Sequence, residues 1–242
     1  MVPEEKIQEF VRRVREGGGA NVESIILYGS AVSGDFHTEF SNLNFFCVLR
    51  DSSFAALQKL APAMKWWKGE KQPAPLLMTR AELNATTDVF TIELMDMQRS
   101  YRVVYGDDVL KELTVSLRWH RAQVEYELRE KLVLLRQHAL LATEDDKRLW
   151  ELLLRSSASF VTLFRHALIA LGEDGSSGKR AAVEQLAKKV GFDPAPFYDV
   201  LDVREHKKDR KNLDVKNLFG RYLAAIESVT AAVDKALEPG NS

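Results

Sequence analysis

The sequence predicts an α+β protein in two parts: a mixed sheet with flanking helices over residues 1–112, then an antiparallel helical bundle over residues 113–242. Three observations predict it. Short apolar runs bounded by Gly, Pro and polar clusters are confined to the first part, as strands between turns require. Beyond residue 112 the apolar residues recur every three or four positions over long stretches, the spacing of helices with one buried stripe. Between the two regimes, "YGDDVL" at 105–110 punctuates the chain. Layered packing of such elements gives a sheet domain followed by a bundle.

Each element follows from its residues. Pro3 to Arg15 places Ile7, Phe10, Val11 and Val14 on one helical face, and the glycines of "EGGGAN" end that helix. "VESIILY" at 22–28 reads as a strand. "LNFFCVLR" at 43–50 reads as a second, apolar enough for burial on both faces. Phe54 to Lys65 reads as a helix, and "PAPLLMT" at 73–79 as a third strand whose prolines suit an edge or a turn. Arg80 to Asn84 suits a short helix. "DVFTIELMDM" at 88–97 alternates well enough for a fourth strand. In the second part Leu113 to Leu141 is periodic, with Leu117, Val124, Leu128, Leu132 and Leu135 forming one stripe. Helices follow over Asp145 to Gly172 and over Lys179 to Val190, the latter capped by Gly191. "DPAPFYDVLDVRE" reads as a proline-initiated helix, and Asp214 to Leu237 as the last.

Composition narrows the function classes. Hydrophobic residues are 45% and charged residues 29%, with a formal net charge of -1 and a pI near 6.5. That balance carries no global field for nucleic acid or an anionic membrane. Cys47 is the single cysteine, so no intrachain disulfide is expected, and its apolar neighbours suit a buried thiol. "MVPEEKIQEF" lacks the basic-then-apolar order of a secretion signal, and no apolar run reaches the length of a spanning helix. The expectation is a cytoplasmic protein with no membrane partner.

The chemistry-bearing segment is "LYGSAVSGDFHTEFSNLNFFCVL" at 27–49. Gly29, after a strand, lets a bound group approach the backbone, and Ser30 stands where a helical turn can begin. The first N–H groups of such a turn have no intrahelical acceptor and favour a phosphate. Beyond Ser30 and eleven intervening residues, Asn42 and Asn44 stand two apart at the head of an apolar strand.

"LYGS", this spacing and the two-spaced pair resemble the signature of the DNA polymerase beta-like nucleotidyltransferase superfamily. The segments "SGD" at 33–35 and "DVFTIELMDMQRSYRVVYGDDVL" resemble bacterial two-domain members of the kanamycin nucleotidyltransferase type. In that family the paired positions are acid, apolar, acid. The resemblance implies a nucleotidyltransferase-fold sheet, with Gly29 and Ser30 holding the phosphates of an NTP. It also implies that Asn42 and Asn44 occupy the places of two metal-binding carboxylates, with Glu93 the candidate third acid and Asp96 its alternative.

Asparagine keeps the shape of aspartate and loses its charge, so Mg2+ is expected to bind weakly or not at all. Asp35, Glu39 and Asp51 are the carboxylates near enough in sequence to be weighed as substitutes. Three functions follow. One is a catalytically degenerate protein that keeps nucleotide binding in a regulatory or scaffolding role. Another is an active enzyme moving a nucleoside monophosphate from NTP to a hydroxyl. The last is an interaction module with a vestigial cleft, joined to a protein partner or a second copy as a homodimer. In the helical part the resemblance makes Arg204 or Lys208 of "VREHKKDRK" a candidate for nucleotide contact, against the plainer reading of a solvated helix end. Of Trp66 and Trp67, one suits the core and the other an aromatic wall for a base or a partner.

Overall fold

A computed structural model describes residues 2–34, 36–175 and 178–236 of the chain. It divides into two compact units, Met1–Ser116 and Leu117–Ser242. The fold is α+β, a four-stranded mixed sheet with helices and then a helical region.

In the first unit, helix α1 (Glu4–Gly18) leads into strand β1 (Val22–Tyr28), a single turn α2 (Ser30–Ser33) and strand β2 (Asn44–Leu49). Helix α3 (Phe54–Gly69), strand β3 (Leu76–Thr79), helices α4 (Arg80–Ala85) and α5 (Thr91–Arg99), and strand β4 (Tyr101–Gly106) complete it. The sheet order is β3-β2-β1-β4. β1 runs antiparallel to both β2 and β4, whereas β2 and β3 are parallel. The proline-flanked β3 lies at an edge, as a strand lacking donors before it should.

Alternation along the central strands sorts the core into two layers. Ile25, Leu27, Phe45 and Cys47 face α1 and α3, where Phe10 stacks on Phe45 with ring centroids 4.0 Å apart. Trp67 closes this layer, 4.6 Å from Phe10 and 1% exposed, and its indole N–H donates to the Pro73 carbonyl at 2.8 Å. Ile26, Phe46 and Val48 face the other way and pack with Leu94 and Met97 of α5. Burial pushes the Cys47 thiol up to about 12, so it is an inert core group.

Two expectations are corrected here. Residues 88–97 do not form a strand: α5 is a helix, and the strand follows it at Tyr101–Gly106. Ile92 and Leu94 alternate, but Leu94 and Met97 are also one turn apart, and Glu, Leu, Met and Gln favour helix. Residue Leu117 does not belong to the buried stripe of its helix, since α6 begins at His120 and Leu117 is 54% exposed.

The second unit holds α6 (His120–Leu140), α7 (Asp146–Ala170), α8 (Lys179–Val190), α9 (Ala195–Arg204) and α10 (Val215–Lys235). Asp145 caps α7 by accepting from the Lys147 and Arg148 N–H groups, and Asp214 caps α10 likewise. Gly191 ends α8 in the left-handed conformation. Phe164, Phe197 and Tyr222 link α7, α9 and α10, with centroids 4.7 and 4.4 Å apart. α7 has the length and apolar composition of a membrane span, but 56% of its most apolar window is buried by its neighbours. That burial suits the central helix of a bundle.

Candidate functional site

The loop after β1 is fixed by Gly29. Its φ of 78° and ψ of -145° form a conformation open mainly to glycine. The Gly29 N–H donates to the Ser100 carbonyl at 3.0 Å, anchoring the loop beside the start of β4. The Gly29 carbonyl accepts from Val32 and Ser33 at 2.9 and 3.1 Å, which closes the turn that begins at Ser30. A Cβ built on Gly29 would lie 3.4 Å from the Asn44 side-chain nitrogen. Loop and strand head are therefore adjacent.

Register and packing place the other residues. Asn44 pairs with Tyr28 across the β1–β2 ladder, and Tyr28 pairs with Tyr101 across β1–β4. Cross-strand partners point to the same side of a sheet. Tyr28 and Tyr101 pack against the layer that contains Leu94 and Met97, so Asn44 also projects on the α5 side. Leu43, 1% exposed, belongs to the opposite layer, and its N–H donates to the Gln72 side chain at 2.8 Å. Asn42 precedes β2 and is exposed. One of the two amides is thus held in the site, and the other stands at its solvent edge.

Glu93 and Asp96 sit on α5, one helical turn apart and half-buried. Burial pushes the Tyr28 phenol above its ordinary value, and the negative charges of Glu93 and then Asp96 push it further in the same direction. The structure therefore brings Gly29, Asn44, Glu93 and Asp96 around one tyrosine. Tyr28 and the Ser100 carbonyl were not singled out in the sequence. The tyrosine's place directly before Gly29 was the available signal.

Tyr28 should ionise above an ordinary tyrosine in the folded protein. The neutral phenol is the form the fold favours. Its contribution is fully present below the unfolded value, near pH 10, and is lost as pH rises through the folded one. Glu93→Gln should lower the folded value part-way, because burial remains. Phenolate absorbance, with Tyr28→Phe isolating this residue, measures it. No change with Glu93→Gln would contradict the placement.

The donors present do not fit the paired dications that the resemblance implies. Two amide side chains stand at positions where charge would be needed, and an amide oxygen is a weak anchor for Mg2+. The weighed substitutes do not gather there either. Asp51 lies at the far end of β2, about 20 Å along the strand from Asn44. Its carboxylate accepts from the Ser53 N–H and hydroxyl, both at 2.8 Å, which hold it below the usual carboxylate range. Glu39 is exposed in the loop, and Asp35 lies outside the described residues.

The helical-unit candidates are engaged in their own unit. The Arg204 guanidinium donates to the Leu154 carbonyl at 2.5 Å and to the Ser157 hydroxyl at 3.2 Å, and burial lowers its value. Lys208 pairs with Asp199 at 2.6 Å. Trp67 is the core tryptophan, and Trp66 carries the Arg13 guanidinium over its ring at 4.6 Å. Cation–π contact with Arg13 covers a face that an aromatic wall would have to leave open.

Comparison with known proteins gives a fold. No protein-family model matches the chain, and no curated protein matches it. Among solved structures it is similar to the spectinomycin adenyltransferase AAD(9) from Enterococcus faecialis, determined with ATP and spectinomycin. The likeness covers 93% of this chain and 99% of that one, at 16% identity and a TM-score of 0.55. The chain has a nucleotidyltransferase-like fold. At this identity the likeness speaks for the arrangement of sheet and helices, and the site must be argued from its residues.

Proposed function

We propose that this protein binds a nucleoside triphosphate on a nucleotidyltransferase scaffold whose metal-dependent transfer is lost or severely weakened, and that it acts as a regulatory or scaffolding module in the cytoplasm. The observation that carries the reading is Asn44. It heads β2 beside Gly29, on the side of the sheet where Glu93 and Asp96 gather, and it is an amide. Gly29 and Ser30 supply the backbone turn for phosphate, which needs no carboxylate. Metal polarisation supplies several kcal/mol of transition-state stabilisation in phosphoryl and nucleotidyl transfer, so its loss lowers turnover by orders of magnitude. What supports nucleotide binding is the fold likeness to a protein determined with ATP, together with the conformation of Gly29.

A second reading has one observation in its favour. Glu93 and Asp96 together could hold a single dication and leave a weak transferase, with a small-molecule or protein hydroxyl as acceptor. Titration calorimetry with ATP, with and without Mg2+, separates the two. The proposal expects saturable heat of similar affinity in both conditions. Affinity that rises at least tenfold with Mg2+ would favour the second reading. Absence of heat in both would remove nucleotide binding and leave an interaction module.

A further inference from the structure

The head of β2 is held by a residue far from it in the chain. Leu43, between Asn42 and Asn44, is buried, so its N–H is out of reach of water and needs an acceptor inside the protein. That acceptor is the Gln72 side-chain oxygen, at 2.8 Å and twenty-nine residues further along. Strand pairing does not supply one. β3 begins at Leu76, opposite Phe46, and the same register would set Leu43 against position 73, where β3 has not yet begun. Gln72 thus continues the edge of the sheet with a side chain where a strand is missing.

Gln72 is itself tied to the core. Lys71 before it has a φ of 58°, a left-handed conformation that few residues other than glycine adopt, and the chain turns back there from the end of α3. The Gln72 N–H donates to the Trp67 carbonyl at 3.4 Å, and the Pro73 carbonyl accepts from the Trp67 indole at 2.8 Å. A path of hydrogen bonds therefore runs from the buried Trp67 through Gln72 to Leu43. On the other edge of β2, Asn44 pairs with Tyr28, and its side-chain nitrogen lies beside Gly29.

We infer that Gln72 is a positioning residue of the candidate site: by accepting the Leu43 N–H it fixes the head of β2, and with it the place of the Asn44 amide beside Gly29. Without that oxygen the Leu43 N–H would be buried and unsatisfied, and it finds a partner only by lifting toward water. Asn44, the next residue, moves with it. The effect on Asn44 stands by itself, whereas any effect on ATP rests on the nucleotide-binding reading above.

Gln72→Leu tests the inference, since it keeps the bulk of the side chain and removes the acceptor. Hydrogen exchange at the Leu43 N–H should quicken at least about tenfold relative to the N–H of Cys47 in the middle of β2, and the Asn44 side-chain amide signals should shift in the NMR spectrum. Gln72→Glu, which keeps an oxygen at the same reach, should restore both. ATP without Mg2+ should bind the Leu variant about tenfold more weakly than the natural chain, because only molecules with the head of β2 in place are competent. Unchanged exchange at Leu43, or Asn44 signals that stay put while exchange quickens, would overturn the inference. Equal quickening at Leu43 and Cys47 would also overturn it, as the mark of a general loss of stability. So would equal ATP affinity of the two chains. A natural chain that binds no ATP would remove the nucleotide reading instead, and the Asn44 signals would then decide the role of Gln72.

Discussion

Introducing two carboxylates, Asn42→Asp with Asn44→Asp, should create or strengthen divalent-cation binding beside Gly29. The expected gain in ATP affinity with Mg2+ is at least about tenfold, or 1.4 kcal/mol, because ligand charge largely sets affinity at oxygen sites. The same substitution should have a cost without metal. A carboxylate in place of the Asn44 amide would put a new negative charge on the side of the sheet where Glu93 and Asp96 already raise Tyr28. Like charges in a half-buried site oppose one another, and a loss of about 1–2 kcal/mol is expected at neutral pH. Added Mg2+ should recover that loss. Thermal melts with and without Mg2+, beside calorimetry with ATP, read both effects. Should the double variant show neither metal-dependent ATP affinity nor metal-dependent stabilisation, carboxylates at these two positions are not enough to hold a dication. Asn44→Asp alone should account for most of the metal-free destabilisation, since Asn42 stands at the solvent edge.

Trp67→Ala should have the largest effect on the fold. Trp67 is 1% exposed, lies against Phe10 and Phe45, and makes an indole hydrogen bond to Pro73. Truncating a buried tryptophan costs about 3–5 kcal/mol through lost transfer energy and the cavity left behind. The Pro73 carbonyl also loses its donor, so the upper half of that range is expected. For a unit of this size the thermal midpoint should fall by more than about 10 °C. Trp66→Ala provides the contrast, because Trp66 is only half-buried, at the margin of that layer, with the Arg13 guanidinium over its ring. Its expected cost is below about 2 kcal/mol. Equal losses from the two substitutions would mean that α3 meets the sheet by a different face.

The candidate residues of the first loop could be read from the sequence because they are local. Gly29 and Ser30 follow directly from a strand, and Asn42 and Asn44 flank a buried leucine at the head of another, so alternation alone separates them from the core. Glu93 was legible as a residue but not as a position. A ten-residue stretch in which Ile92, Leu94 and Met97 are all apolar satisfies both periods, and only packing against Phe46 and Val48 selects the helix. The surroundings of Tyr28 were not legible at all. Its neighbours Glu93 and Asp96 are more than sixty residues away in the chain and meet it only once α5 lies on the sheet.

The order of elements, the glycine turn, the buried Cys47 and the two amides at the head of β2 were determined by the amino-acid sequence, because each depends on a few consecutive side chains. Tertiary structure decided which acids stand near Asn44, which tryptophan is core, and where Arg204 spends its hydrogen bonds. Those outcomes depend on which surfaces meet. That is a competition among distant segments for the same buried area, and no short stretch of chain contains it.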